Sequence, residues 1–75
     1  MSDDILLDTS GYLCPLPVLK AAKRLKALPS GAVMRVIATD PAAVIDVPHF
    51  CTGQGHTLLS QDRQGESYIF RIRRK

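Results

Sequence analysis

The sequence is short of most of what a pocket enzyme, a membrane span or a nucleic-acid reader is built from. It has 75 residues, and a chain of that size buries only about 60% of its unfolded surface, which leaves little room for an enclosed active site. No run approaches the roughly 20 consecutive apolar residues that cross a bilayer, so a soluble protein with no membrane partner is expected. Two phenylalanines and two tyrosines offer few rings for stacking bases, and direct nucleic-acid binding is not expected. Met1 to Asp4 are acidic and lack the basic-then-apolar pattern of a secretory leader, so a cytoplasmic location is expected. Internal repeats, low-complexity stretches and linkers are all missing, which makes residues 1–75 a single domain.

What is there begins with two cysteines. In a reducing compartment they are expected to be free: reactive, or simply buried. Cys14 opens the run Cys14, Pro15, Leu16, Pro17, which follows Gly11, Tyr12 and Leu13 and precedes a helical pattern. The first N–H groups of a helix lack partners inside it and carry partial positive charge, a setting that favours thiolate over thiol. With Cys14 as the cap, Pro15 is the first helical residue, where its missing N–H costs nothing. Pro17 has no N–H either, so the Leu16 N–H is the expected local donor toward the sulfur. The bland alternative is a small cysteine that caps a helix and does no chemistry.

Periodicity supplies the frame. Ile5 to Asp8 reads as a first strand ending at the Ser10, Gly11 turn. Val18, Leu19, Ala22, Leu25 and Leu28 recur at helical spacing as one apolar stripe, stopped by Pro29, Ser30 and Gly31. Ala32 to Ala38 reads as a central strand, with Val33, Arg35 and Ile37 on one face and Met34, Val36 and Ala38 on the other. Asp40 before Pro41 is a second helix start, and Pro48 is expected to end that helix or kink it before a segment through Thr52, closed by Gly53 and Gly55. His56 to Gln61 and Ser67 to Arg73 read as a hairpin around a loop from Asp62 to Glu66. Tyr68, Phe70 and Ile72 alternate with Ser67, Arg71 and Arg73, with Ile69 as the exception.

The order strand, helix, strand, helix, strand, strand predicts an α+β fold. Strands joined through helices run parallel with right-handed crossovers, and the last two pair antiparallel. Two helices cannot cover both faces of four strands, so a two-layer α/β sandwich, βαβαββ, is expected, with a mixed four-stranded sheet, both helices on one face and the other face partly wet.

The net charge of +3 concentrates at Lys20, Lys23, Arg24 and Lys26 and at Arg71, Arg73, Arg74 and Lys75. On the helix these lie away from the apolar stripe, the usual place for solvated charge; Lys20, Lys23 and Arg24 are also candidates for partner docking. Cys51, beside Phe50, reads as a buried, inert thiol rather than a resolving cysteine. His49, Cys51, His56 and Cys14 lack the paired spacing of structural zinc sites, and no metal is expected. Asp40 reads as a helix cap, Asp46 as a salt-bridge or surface residue, and Asp8 as a residue that orients the cysteine loop.

Taken in register, Asp8, Gly11, Leu13, Cys14, Pro15, Pro17, the Asp40, Pro41 pair, the block Asp46, Val47, Pro48, Phe50, Cys51, and Gly55, His56 resemble the TusA, or SirA-like, family of small sulfur carriers along nearly the whole chain. The resemblance implies the same βαβαββ sandwich and a sulfurtransferase-type carrier without organic cofactor or metal. Cys14 would accept sulfur as a persulfide from a donor such as a cysteine desulfurase and pass it to an acceptor protein, with Gly11, Leu13, Pro15, Leu16 and Pro17 supporting the site. Acceptors in such families feed tRNA thiolation, molybdenum-cofactor maturation or sulfur oxidation. Leu16 departs from the tRNA-thiolation members, which carry glutamate there, whereas Phe50, Cys51, Thr52 is like theirs. A carrier that docks on several enzymes in turn is best served as a monomer. The competing readings are a regulatory or docking module of the same fold that does not need the thiol, and an RNA-binding domain.

Overall fold

A computed structural model describes residues 4–75, so the reading of residues 1–3 as lacking a leader lies outside the described residues. The chain forms β1 (Ile5–Thr9), α1 (Leu16–Lys26), β2 (Val33–Ala38), α2 (Ala43–Gln54), β3 (Thr57–Gln64) and β4 (Ser67–Arg73). The sheet order is β1-β2-β4-β3. β1 and β2 are parallel neighbours, while β4 inserts antiparallel to both β2 and β3. The sheet is therefore mixed, and β2 is central, as its near-continuous apolar sequence requires.

Alternation decides which face is covered. Met34, Val36 and Ala38 of β2 and Phe70 and Ile72 of β4 form one buried cluster with Ala21 and Leu25 of α1 and Ala43, Val47 and Cys51 of α2. Both helices thus lie on one face, completing the two-layer sandwich. Each helix contributes a row at i, i+4, i+8: Pro17, Ala21, Leu25 from α1 and Ala43, Val47, Cys51 from α2. The opposite face carries Arg35 and Arg71 as direct cross-strand partners, and Arg71 is held by Asp4 at 2.8 Å. Ile69, the exception in the alternation, is buried on that second face between Ile37 and Asp62.

Three local expectations are corrected or narrowed. The stripe of α1 is rotated: Val18 and Leu28 pack on the core, but Leu19 is 56% exposed and Ala21 takes the central position. Of the two outcomes expected at Pro48, an end there is ruled out, since α2 continues through Pro48 to Gln54; the cost is the single i+4 donor that the Val44 carbonyl forgoes. Of the two glycines expected to close it, Gly55 is the cap, and Gly53 lies inside the last turn. Gly55 adopts φ +81°, and the Gly55 and His56 amides both donate to the Cys51 carbonyl, the latter at 2.9 Å, a closure that calls for a residue without Cβ. The hairpin loop is two residues, Gly65 and Glu66, rather than five, because β3 continues to Gln64 opposite Ser67. Gly65 alone has positive φ there, the pattern of a type II′ turn whose twist matches its strands.

Candidate functional site

The parallel pairing of β1 with β2 puts the carboxyl ends of both strands on the same edge of the molecule. The loops that leave them, residues 10–15 and 39–42, therefore meet, although they are far apart in sequence. Their contact is polar and specific. Thr9, fully buried, donates its hydroxyl to the Ile37 carbonyl at 2.6 Å. Gly11 turns with φ +83° and donates its amide to Thr39 Oγ1 at 2.8 Å. Ser10 donates its amide to Asp8 Oδ1 at 2.9 Å, and those hydrogen bonds from Ser10 hold the Asp8 carboxyl below its ordinary range. Asp8 thus shapes the turn that leads to the cysteine.

Asp40 joins the two loops. Its Oδ1 accepts from the Ala42 amide at 3.0 Å, but Asp40 is not the helix cap expected of it: Ala42 is the N-cap of α2, with no side-chain cap hydrogen bond, and Asp40 holds the turn that precedes the helix. Its Oδ2 accepts from the Cys14 amide at 2.6 Å. One carboxylate therefore ties the turn that precedes α2 to the backbone of the cysteine.

Cys14 is exposed, and its peptide bond to Pro15 is cis. It does not cap α1. Pro15 occupies the cap position, Leu16 is the first helical residue, and the Leu16 amide donates to the Leu13 carbonyl at 2.9 Å instead of to the sulfur. The sulfur has a different partner: Cys14 Sγ donates to Asp46 Oδ2 at 2.9 Å, from the first turn of α2. The Asp46 hydrogen bond, followed by burial and by the charges of Asp46 and Asp40, raises the Cys14 pKa above that of an ordinary thiol. The expectation of a thiol acidified by the helix start is thus reversed. The helix field is present, but two full carboxylate charges stand closer than partial charges that are already spent on Leu13 or absent at proline.

Around the sulfur lies a shallow cleft of about 330 Å³ lined by Cys14, Pro15, Val18, Asp46, His49 and Phe50. Leu13, Leu16 and Ile45 are 70%, 44% and 72% exposed. Leu19 and Tyr12 are exposed as well, so four of these five large apolar side chains come from the cysteine loop and α1. Pro17, by contrast, is buried and anchors α1 to the core. On the other flank Lys20 places its Nζ 4.4 Å from the centre of the Tyr12 ring, and Lys23 and Arg24 line a second cleft with Leu7, Asp8 and Tyr12. Another depression, about 510 Å³, lies elsewhere, on the second sheet face among Asp4, Arg35, Asp62, Arg63, Gln64, Ile69 and Arg71, and contains no nucleophile.

The remaining candidates are not brought to the sulfur. Cys51 is 2% exposed in the core, and burial pushes its thiol up to about 11. His56 accepts from the Lys75 amide at 3.2 Å and meets the Phe50 ring at 5.6 Å; burial, then the charges of Lys75 and Arg74, lower its pKa. Only His49 shares the cleft with Cys14. Among the described residues no three His, Cys, Asp or Glu side chains converge as metal ligands, and no helix is long and apolar enough to cross a membrane. Asp46 is the residue that sequence reasoning missed. Its contact depends on α2 starting beside the cysteine loop; the sequence holds two traces of it, the Asp40 start signal and the place of Asp46 in the block that resembles the TusA family.

The whole of this framework, from β1 to the basic tail, matches the family described as Sulfurtransferase TusA over residues 5–74. The chain belongs to the TusA family. It is 43% identical over 72 residues to the sulfur carrier protein TusA of Pseudomonas entomophila, spanning 96% of this chain and 90% of that one. Against the sulfur carrier protein TusA of Pseudomonas aeruginosa it is 39% identical over 74 residues, with 99% and 94% covered. The protein of the same name from Pseudomonas syringae pv. tomato is 36% identical over 72 residues, with 96% and 86% covered. The TusA match therefore includes both loops at the carboxyl ends of β1 and β2, and with them Cys14, Asp40 and Asp46.

Proposed function

We propose that this TusA-family chain carries sulfane sulfur as a persulfide on Cys14. Cys14, as thiolate, attacks the terminal sulfur of a donor cysteine persulfide. The donor S–S bond breaks, the donor leaves as a thiolate, and Cys14–S–SH forms without net oxidation or reduction. An acceptor thiol repeats the exchange in the same sense. No metal or organic cofactor enters the step. A cysteine desulfurase is the class of donor that makes such a persulfide, and the acceptor is a protein thiol of tRNA thiolation, molybdenum-cofactor or sulfur metabolism. The proposed carrier works as a cytoplasmic monomer, with Gly11, Leu13, Pro15, Leu16 and Pro17 supporting the nucleophile.

The observation that carries this reading is an exposed thiol at the mouth of an open cleft, with exposed Leu13 and Leu16 adjacent in the chain. Such a sulfur is accessible to another protein's cysteine and has no enclosure for a small substrate. Leu16 presents an apolar contact beside it, and Lys20, Lys23 and Arg24 offer a basic flank to an acidic partner surface. Incubation with a cysteine desulfurase and L-cysteine, followed by intact mass measurement, should show a reductant-sensitive gain of one sulfur. Cys14→Ser should lose that gain completely and Cys51→Ser should keep it. Loading that survives Cys14→Ser defeats the proposal.

A further inference from the structure

The contact between Cys14 and Asp46 goes beyond holding a side chain in place. A thiol has one proton, and here it is donated to Asp46 Oδ2 at 2.9 Å. Ionisation of the sulfur removes the donor and leaves a thiolate facing a carboxylate, so the contact changes from attractive to repulsive. The other charged or titratable groups facing the sulfur are few. The β2–α2 loop supplies Asp40, held on the Cys14 amide, and α2 supplies Asp46 and His49. α1 brings only Pro15 and Val18 to the cleft, with Lys20 turned to the Tyr12 ring. Among the described residues the one ion pair is Arg71 with Asp4, so no lysine or arginine neutralises Asp46.

Resting on the carrier reading above, we propose that Asp46 is a positioning residue that keeps the resting Cys14 protonated, and that a cationic side chain beside the partner's cysteine releases it by taking over Asp46. A lysine or arginine arriving with the partner's sulfur pairs with the carboxylate that the thiol proton leaves. The Cys14 proton passes to solvent, and the freed thiolate attacks. The carrier's specificity is then partly electrostatic: partners with positive charge next to the exchanging sulfur react, and anionic low-molecular-weight disulfides are disfavoured.

Three small disulfides probe this without knowledge of the natural partner: cystamine, cationic; bis(2-hydroxyethyl) disulfide, neutral; and dithiodiglycolate, anionic. In each case Cys14 attacks one sulfur, the S–S bond breaks, a mixed disulfide forms and the other half leaves as thiolate. With rates divided by those of a free cysteine peptide, the wild-type chain at low salt should favour cystamine over dithiodiglycolate by roughly tenfold, a difference in reach of charges a few ångströms apart. Asp46→Asn should narrow that ratio to about twofold, the remainder being due to Asp40, and should move the iodoacetamide pH profile of Cys14 downward. In about 1 M salt, where the screening length falls to about 3 Å, the wild-type ratio should collapse without any substitution. A ratio that Asp46→Asn or salt leaves unchanged overturns the proposal, as does a preference for the anionic disulfide, which an unopposed helix start would give. If the ratio fails to move while a desulfurase still loads Cys14, only the role of Asp46 falls. If wild-type Cys14 is never loaded, the carrier reading falls whatever the probes show.

Discussion

The two cysteines of this chain are both free and both less acidic than an ordinary thiol, for unrelated reasons. At Cys14 the leading cause is a hydrogen bond to Asp46 on an exposed rim. At Cys51 it is burial in the core beneath α2. The first cause is one that an arriving partner can remove, because it is a charge at the surface. The second yields only when the fold opens, since water must reach the sulfur. Reactivity in this molecule is therefore decided less by how far a thiol is shifted than by whether the cause of the shift is reversible in the native state.

The largest expected effect is kinetic. In the native protein iodoacetamide should modify Cys14 while Cys51 reacts slower by on the order of a thousandfold, because its alkylation waits for opening of a marginally stable core. Peptide mapping with and without denaturant checks this, and equal native rates would remove the contrast. The Cys14 rate should rise at a pH above that of a free cysteine, following its raised pKa.

A smaller effect follows from Cys51 through linkage. Its folded pKa is raised from 9.0 to about 11, so the folded state binds that proton more tightly than the unfolded chain does. The stabilisation is complete below pH 9 and disappears as pH rises through 11. Urea unfolding should show a loss of up to about 2 kcal/mol over that range. Cys51→Ala, compared at the same pH values, should lack this component, and an identical alkaline slope in both proteins would contradict it.

The smallest effect concerns Leu16. Leu16→Glu adds a third carboxylate near the exposed thiol, and should slow alkylation of Cys14 at pH 8 by about twofold at low salt, with no change at high salt. Leu16 is 44% exposed, so urea stability should stay within about 0.5 kcal/mol. Acceleration of Cys14 by the added glutamate would mean that the carboxylates do not set its reactivity.

The fold was legible in the sequence because its signals are local and agree with one another: strand alternation, proline at both helix starts, and glycine at the α2 end and the hairpin turn. The phase of α1 was misread for a physical reason. Leu19 is apolar like a core residue, yet it is exposed, as Leu13 and Leu16 are, and hydrophobicity alone does not say which apolar side chains the core takes. The site was half legible. Cys14 stands out by its prolines, and Asp40 by its position before Pro41. Asp46 has no local signature, because a carboxylate 32 residues from the thiol in sequence acquires meaning only when parallel strands bring their ends together. Local reasoning therefore assigned the sulfur to the nearest field, that of the helix, and got the sign of its acidity wrong.

Asp40 has one more consequence. Its two oxygens grip the Cys14 amide and the Ala42 amide at once, and Ala42 leads directly into the helix that carries Asp46. The nucleophile and its counter-charge are thus gauged from a common pin, so that a tilt of either loop carries the other with it. Any molecule that reaches this face meets the same sulfur at the same offset from the same charge.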